Sequence, residues 1–217
     1  MTKIVHPYSH RLGIIRDWKS RWFGDKEKYK EFLKADVLLR EYLEKRLRDF
    51  YVSSIEMERN ENTLKIIIKT SRPGMIIGRS GEGSKQLQKD IMSFIAKEAL
   101  MGAEEVKVDI EEIKSPESNA AVVAHMVREG LEKRMPFRRV MKQTADKVMA
   151  NRDVKGVRIL LSGRLGGADM SRSEEIKKGR IPLQTFRADI DYEKQVARLP
   201  YGVLGLKVWI YKGEIFD

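Results

Sequence analysis

The sequence contains no cysteine, which excludes disulfides, thiol nucleophiles and cysteine-bound zinc. Histidine is nearly as scarce, with only His6, His10 and His125. His6 and His10 have an i, i+4 spacing, but Pro7 lies between them and His125 is remote, so no metal site or other cofactor is expected. No apolar run reaches the roughly 18 residues that a membrane helix needs. Residues 1–15 carry His6, Pro7, His10 and Arg11 where a signal peptide needs an unbroken apolar segment. A cytoplasmic chain with no membrane partner is the expectation. Internal repeats and low-complexity tracts are also absent.

Positive charge is what the sequence has in plenty. Lys and Arg outnumber Asp and Glu by 43 to 32, for a formal charge of +11. A soluble chain this basic commonly has a polyanionic partner, and phosphates are the commonest polyanion. An anionic membrane surface is the rival reading. The charge is uneven: residues 128–180 hold fifteen Lys or Arg against seven Asp or Glu, whereas residues 98–119 hold two against seven. The basic stretch would strain a compact state by self-repulsion unless something anionic neutralised it.

The organisation follows from periodicity and punctuation. Residues 1–25 form a basic amino-terminal arm without a clear period. Residues 27–50 place Phe32, Leu39, Leu43 and Leu47 on one helical face. Two strands follow, Val52–Glu58 and Leu64–Thr70, joined by a hairpin turn at Arg59–Asn62. A glycine-rich loop precedes a helix over residues 82–101, with Gly102 as its stop. Val106–Ile113 then alternates as a strand with one wet face. The order is α-β-β-α-β, with room for a further helical turn near the loop. Ser115-Pro116 marks a boundary, giving segments 26–114 and 115–217. The second segment predicts a helix from Glu117 to Arg134, another from Pro136 to Asn151, and strands at 156–162, 181–192 and 204–211.

Two motifs carry chemistry. Gly78-Arg79-Ser80-Gly81 follows an apolar run and opens a helix. Glycines let a phosphodiester approach the main chain, the amides of the next helix point at it, and Arg79 adds a charge. This is the arrangement of the loop in KH RNA-binding modules. A nucleotide-hydrolase loop fits worse, because Ser84-Lys85 stands where Lys-Ser or Lys-Thr is required. The second motif is Phe137-Arg138-Arg139-Val140-Met141-Lys142. On a helix, Arg138, Arg139 and Lys142 share an arc of about 100°, while Phe137, Met141, Thr144 and Val148 turn to the core. Fixed guanidinium groups suit phosphate oxygens. A solvated helix face is the bland alternative. Arg164 before Gly166-Gly167, with Arg172, Lys177, Lys178 and Arg180 following, is a third candidate contact for an RNA backbone.

No catalytic residues stand out, and no small-molecule substrate is expected. The pairs Glu104-Glu105, Glu111-Glu112 and Glu174-Glu175 are adjacent, so their side chains diverge on strands and helices alike. Asp189 and Asp191 share a strand face with Arg187, which favours a salt-bridged ladder over a metal site.

In this setting the chain resembles the bacterial small-subunit ribosomal protein three family. The resemblance rests on Lys3-Ile4-Val5-His6-Pro7 with Arg11-Leu12-Gly13-Ile14, on Arg72 through Gly81, on Phe137 through Lys142, and on Ser162 through Ala168, Leu183 through Tyr192 and Tyr201 through Trp209. It implies an α+β chain: a type II KH domain, α-β-β-α-α-β, then a second α+β domain with two helices on a three- to four-stranded, mainly antiparallel sheet. It implies binding to the 3′ domain of small-subunit ribosomal RNA, with Lys3, His6 and Arg11 of the arm joining the later cations. It further implies contact with small-subunit proteins ten and fourteen. Arg138, Arg139 and Lys142 would line the messenger RNA tunnel and help unwind structured message. Gln143 stands where the family often has Arg, and Ser80 where it often has Lys. A free KH regulator or assembly factor is the alternative reading.

Overall fold

The structure, a computed structural model, describes residues 5–60, 63–98 and 105–216; Lys3 and the expected helix stop at Gly102 lie outside them. In chain order the elements are α1 (Pro7–His10), β1 (Ser20–Arg21), α2 (Lys26–Arg46), β2 (Val52–Arg59), β3 (Thr63–Thr70), α3 (Pro73–Ile77), α4 (Glu82–Lys97), β4 (Glu105–Glu112), α5 (Ala120–Glu132), α6 (Phe137–Ala150), β5 (Gly156–Gly163), β6 (Arg172–Gly179), β7 (Ala188–Leu199) and β8 (Gly202–Glu214), with short 3₁₀ turns at Arg79–Gly81, Pro116–Ser118 and Leu165–Gly167. They form two compact units. One is Trp18–Lys114; the other joins Met1–Asp17 to Ser115–Asp217.

In the first unit, β2 and β3 pair antiparallel while β3 and β4 pair parallel. A parallel pair needs a long crossover, and α3 with α4 supplies it. Strand alternation decides the buried face: Leu64, Ile66 and Ile68 on β3 are all fully buried. Leu39 and Leu43 of α2 and Leu87 and Ile91 of α4 close over them. Each such side chain contributes about 1.5–3 kcal/mol by leaving water. The short β1 adds a parallel edge to β2; two residues carry no period, so the sequence gives no warning of it. The element order from α2 to β4 is α-β-β-α-α-β. At the edge of the core, Asp36 and Arg59 form a buried ion pair at 2.8 Å. Asp36 also accepts from Trp22 Nε1 at 2.7 Å.

In the second unit the sheet order is β6-β5-β8-β7, antiparallel throughout. Helices α5 and α6 pack on it, with Val123, Val127, Leu131, Met141 and Val148 buried among Ile159, Leu161, Leu206 and Val208. Asn119 caps α5 by accepting from the amides of Ala121 and Val122. Four strands stand where periodicity predicts three, within the three to four that the family resemblance implies. The missed one, β6, reads Arg-Ser-Glu-Glu-Ile-Lys-Lys-Gly and holds a single apolar residue, Ile176. It is an edge strand, so charge is tolerated on both faces. The strand expected at 181–192 begins only at Ala188, because residues 181–185 form turns at Ile181 and Pro182.

Arg11 explains where those turns are held. It is fully buried. Its guanidinium donates to the carbonyls of Ala188 at 2.6 Å, Pro7 at 3.1 Å, Leu183 at 3.1 Å and Thr185 at 2.9 Å. Burial lowers its pKa, and nearby Asp189 opposes that effect. Arg16 pairs with Asp189 at 2.6 Å, and His10 packs its ring 4.3 Å from that of Phe186. This part of the arm is therefore docked by polar contacts, which leave no apolar period to read.

Candidate nucleic-acid interface

The glycine loop lies between two helices, not directly after a strand, since α3 intervenes. Gly78 closes α3 by donating its N–H to Gly74 O at 3.0 Å. Its φ of 70° and ψ of −173° form a conformation open to glycine and closed to most side chains. Ser80 and Gly81 continue at φ 54° and 78°, and Gly81 then leads into α4. No side chain caps the α4 N-terminus, so its first-turn amides and the positive end of its dipole suit an anion. Gly78, Arg79, Ser80 and Glu82 are exposed. Arg79 has no ion pair among the described residues, and Glu82 adds a competing negative charge beside it.

Gly83 is the residue that sequence reasoning underrated. A Cβ there would lie 2.5 Å from Ile76 O and 2.9 Å from Ile77 O. The two helices that carry the loop thus meet backbone to backbone, and only glycine permits it. Gly83→Ala should gain about 1 kcal/mol of helix propensity yet lose more to the carbonyl clash, for a net destabilisation of about 1–3 kcal/mol. Thermal unfolding checks this, and an unchanged midpoint would mean the α3–α4 approach is softer than the geometry implies. The signal in the sequence was a third glycine, two residues past the Gly78–Gly81 loop.

The basic helix divides as expected into two faces. Val140, Met141, Thr144, Ala145 and Val148 are buried, while Arg138, Arg139 and Lys142 are exposed. The three cations are not equivalent. Arg138 pairs with Glu174 at 3.3 Å, which raises its pKa through that hydrogen bond and the Glu174 charge. Arg172 reaches the same carboxylate, also at 3.3 Å. Both guanidinium groups lie near the ring of Phe137, at 5.6 and 5.8 Å from its centroid. Arg139 and Lys142 carry no ion pair among the described residues. Gly166 comes near the same ring, a Cβ on it lying 3.8 Å from Phe137. Phe137 therefore gathers Arg138, Arg172 and the Gly166-Gly167 turn into one exposed corner, with Arg139 and Lys142 further along α6.

The remaining candidates are dispersed. Arg164 is a brace more than a free cation: it donates to Ala168 O at 2.9 Å and Tyr201 O at 3.1 Å, and it meets Asp169 at 3.3 Å. Its guanidinium thus holds its own loop, while the side chain stays 43% exposed. Lys177 and Lys178 point to opposite faces of β6, as the period of two requires. Lys178 pairs with Asp146 of α6, whereas Lys177 is exposed. Arg180 follows Gly179, which lies at the far end of β6 from Arg172, about 23 Å away at ~3.3 Å per residue. His6 is exposed, but its Nδ1 accepts from Tyr8 N at 3.2 Å and its ring packs edge-on against Tyr192. Arg11, buried and bonded as described, is removed from any surface by its four carbonyl partners.

The acidic candidates are structural. Glu174 serves Arg138 and Arg172, while Glu175 turns the other way to Arg158 at 2.5 Å. The expected ladder of Arg187, Asp189 and Asp191 does not form. A bulge at Asp189/Ile190 breaks the alternation. Asp189 pairs with Arg16, Asp191 accepts from Ala120 N at 2.8 Å, and Arg187 pairs with Glu214 at 2.6 Å. Among the described residues no cluster of His, Asp or Glu could hold a metal ion, and no helix is long and apolar enough to cross a membrane.

Comparison with known proteins agrees with this geometry. Residues 38–118 match the KH domain family, and residues 127–210 match the family described as ribosomal protein S3, C-terminal domain. Small ribosomal subunit protein uS3 of Caldicellulosiruptor bescii is 45% identical over 215 residues, covering 99% of this chain and 94% of that one. The proteins of the same name from Methylococcus capsulatus and Endomicrobium trichonymphae are 44% and 46% identical, over 100% and 98% of this chain and 94% and 88% of theirs. A KH unit with an uncapped glycine loop, followed by a helix-on-sheet unit with a basic helix and matched along nearly its whole length, places this chain in the small ribosomal subunit protein uS3 family.

Proposed function

We propose that the chain is a non-catalytic constituent of the cytoplasmic small ribosomal subunit, that it grips the 3′ domain of the ribosomal RNA, and that α6 lines the tunnel through which messenger RNA enters. Proteins ten and fourteen of the subunit are its neighbours in this reading. Gly78, Arg79, Ser80 and Gly81 would meet an RNA backbone at the α4 N-terminus. Arg172, with Gly166, Gly167 and the exposed Lys177, would add ribosomal RNA contacts.

The observation that carries the reading is α6. Its buried face fixes the helix, and Arg139 and Lys142 project from the other face with no carboxylate to neutralise them among the described residues. Arg138 is held in reserve by Glu174 and would exchange that carboxylate for a phosphate. Positioned cations of this kind hold a separated strand while the ribosome supplies the motion; no nucleotide hydrolysis by the chain is required.

Arg139→Ala with Lys142→Ala is expected to leave folding intact, since both side chains are exposed. Loss of two phosphate contacts should flatten the salt dependence for single-stranded RNA by about 1.4 in log–log slope, at ~0.7 per contact. Ribosomes carrying the pair should pause longer at strong message hairpins. Normal progress through such hairpins would refute the unwinding part, and sucrose-gradient sedimentation apart from small subunits would refute the structural part.

A further inference from the structure

At one end of the second unit's sheet, a cavity of about 310 Å³ is lined by Lys155, Arg180, Tyr211, Glu214 and Phe216. That volume is at the lower end of small-ligand sites (~300–1,000 Å³) and exceeds what a lone phosphate needs. Its charge is unbalanced. Neither Lys155 nor Arg180 has an ion pair among the described residues. The acid in the lining, Glu214, is already engaged by Arg187 at 2.6 Å.

The backbone fixes the two residues that carry the cations. Lys155 N donates to Tyr211 O at 2.8 Å, and Arg180 N donates to Lys155 O at 3.3 Å. A Cβ on Gly156 would lie 2.0 Å from Arg180 O, and one on Gly179 would lie 2.3 Å from Lys155 O. Two glycines thus draw Arg180 against Lys155. The Lys155 side chain lies over Gly213, its Nζ 3.1 Å from where a Cβ would stand. Beside the cations, Phe216 is 74% exposed, and the Arg187 guanidinium sits 5.0 Å from its ring centroid.

We propose that this cavity is a nucleotide subsite for single-stranded RNA, with one phosphate between Lys155 and Arg180 and the adjoining base laid on Phe216. A carboxylate partner would satisfy the cations but leave the exposed ring unused. A base with its phosphate uses both, and aromatic stacking tolerates any base. The inference rests on the reading that RNA is this chain's partner, and it assigns Lys155 and Phe216, neither of which the basic motifs include.

The test uses the full chain and a single-stranded hexanucleotide RNA carrying 4-thiouridine, cross-linked by ultraviolet light and mapped by mass spectrometry. The expected result is a cross-link in the peptide containing Phe216. Lys155→Ala with Arg180→Ala, and separately Phe216→Leu, should each reduce its yield about tenfold, with cross-links at Gly78–Gly81 unchanged. Cross-links at the glycine loop with none at Phe216 would overturn the subsite and spare the wider reading. So would a Phe216 yield that neither variant alters, or one abolished by a poly-glutamate competitor that leaves the loop cross-links in place. The absence of any cross-link at low salt would overturn both.

Discussion

Arg11→Ala is expected to destabilise the second unit by about 3–5 kcal/mol, the range for breaking a buried charged network. The wild-type guanidinium serves four main-chain carbonyls, from Pro7, Leu183, Thr185 and Ala188. Hydrogen bonds to a charged group are worth about 1.5–3 kcal/mol each, but the four share one cation and its desolvation cost, so they do not add. Alanine leaves the carbonyls without their donor, two of them, from Ala188 and Pro7, at buried bonds. Lysine should rescue little, because an ammonium on a flexible stem cannot meet carbonyls on several sides at once. Urea unfolding of the full chain, with hydrogen exchange to assign the transition, checks the size and the place. Protection should fall in β5, β7 and β8 and persist in β2 and β3. An unshifted transition would show that the arm contributes nothing to that unit.

The second large effect belongs to the first unit. Asp36 and Arg59 have side chains only 2% and 3% exposed and meet at 2.8 Å. Asp36 also holds the Trp22 indole N–H, and the Arg59 guanidinium lies 4.7 Å from the centroid of Phe32. Removing one member of a buried pair costs about 3–5 kcal/mol, because the other charge stays behind. Asp36→Ala should therefore lower the stability of the KH unit by that amount. Asp36→Asn keeps the shape and an acceptor for Trp22 and should lose less. Replacing both members with apolar residues of similar volume should recover much of the loss. The same unfolding experiment reads these variants, now with protection falling in β2 and β3. If Asp36→Ala unfolds with the wild type, the pair carries no stability.

These two residues also mark what a sequence can and cannot disclose. The core of each unit was legible, because Leu64, Ile66 and Ile68 alternate and Met141, Thr144 and Val148 recur at helical spacing. The glycine loop and the exposed face of α6 were legible for the same reason: period and punctuation place them. Arg11 was not. A basic residue in an aperiodic arm looks like a surface cation, and only the fold supplies the carbonyls that bury it. For Arg164 the sequence shows the charge but not the brace, because the carbonyls of Ala168 and Tyr201 that it meets are brought to it by the fold. β6 escaped because an edge strand needs no apolar face, and its glutamates and lysines hide the alternation that Glu174, Ile176 and Lys178 in fact obey.

The four bonds of Arg11 also set a timetable. Its partner Ala188 comes 177 positions later in the chain. At ~5–20 residues per second of synthesis, Arg11 waits about 9–35 s for the carbonyls that receive it. The whole Trp18–Lys114 unit is made in that interval, so it can finish folding first. Until then the newborn chain presents an unmatched guanidinium, and Arg11 is seated only after the whole intervening unit has been made.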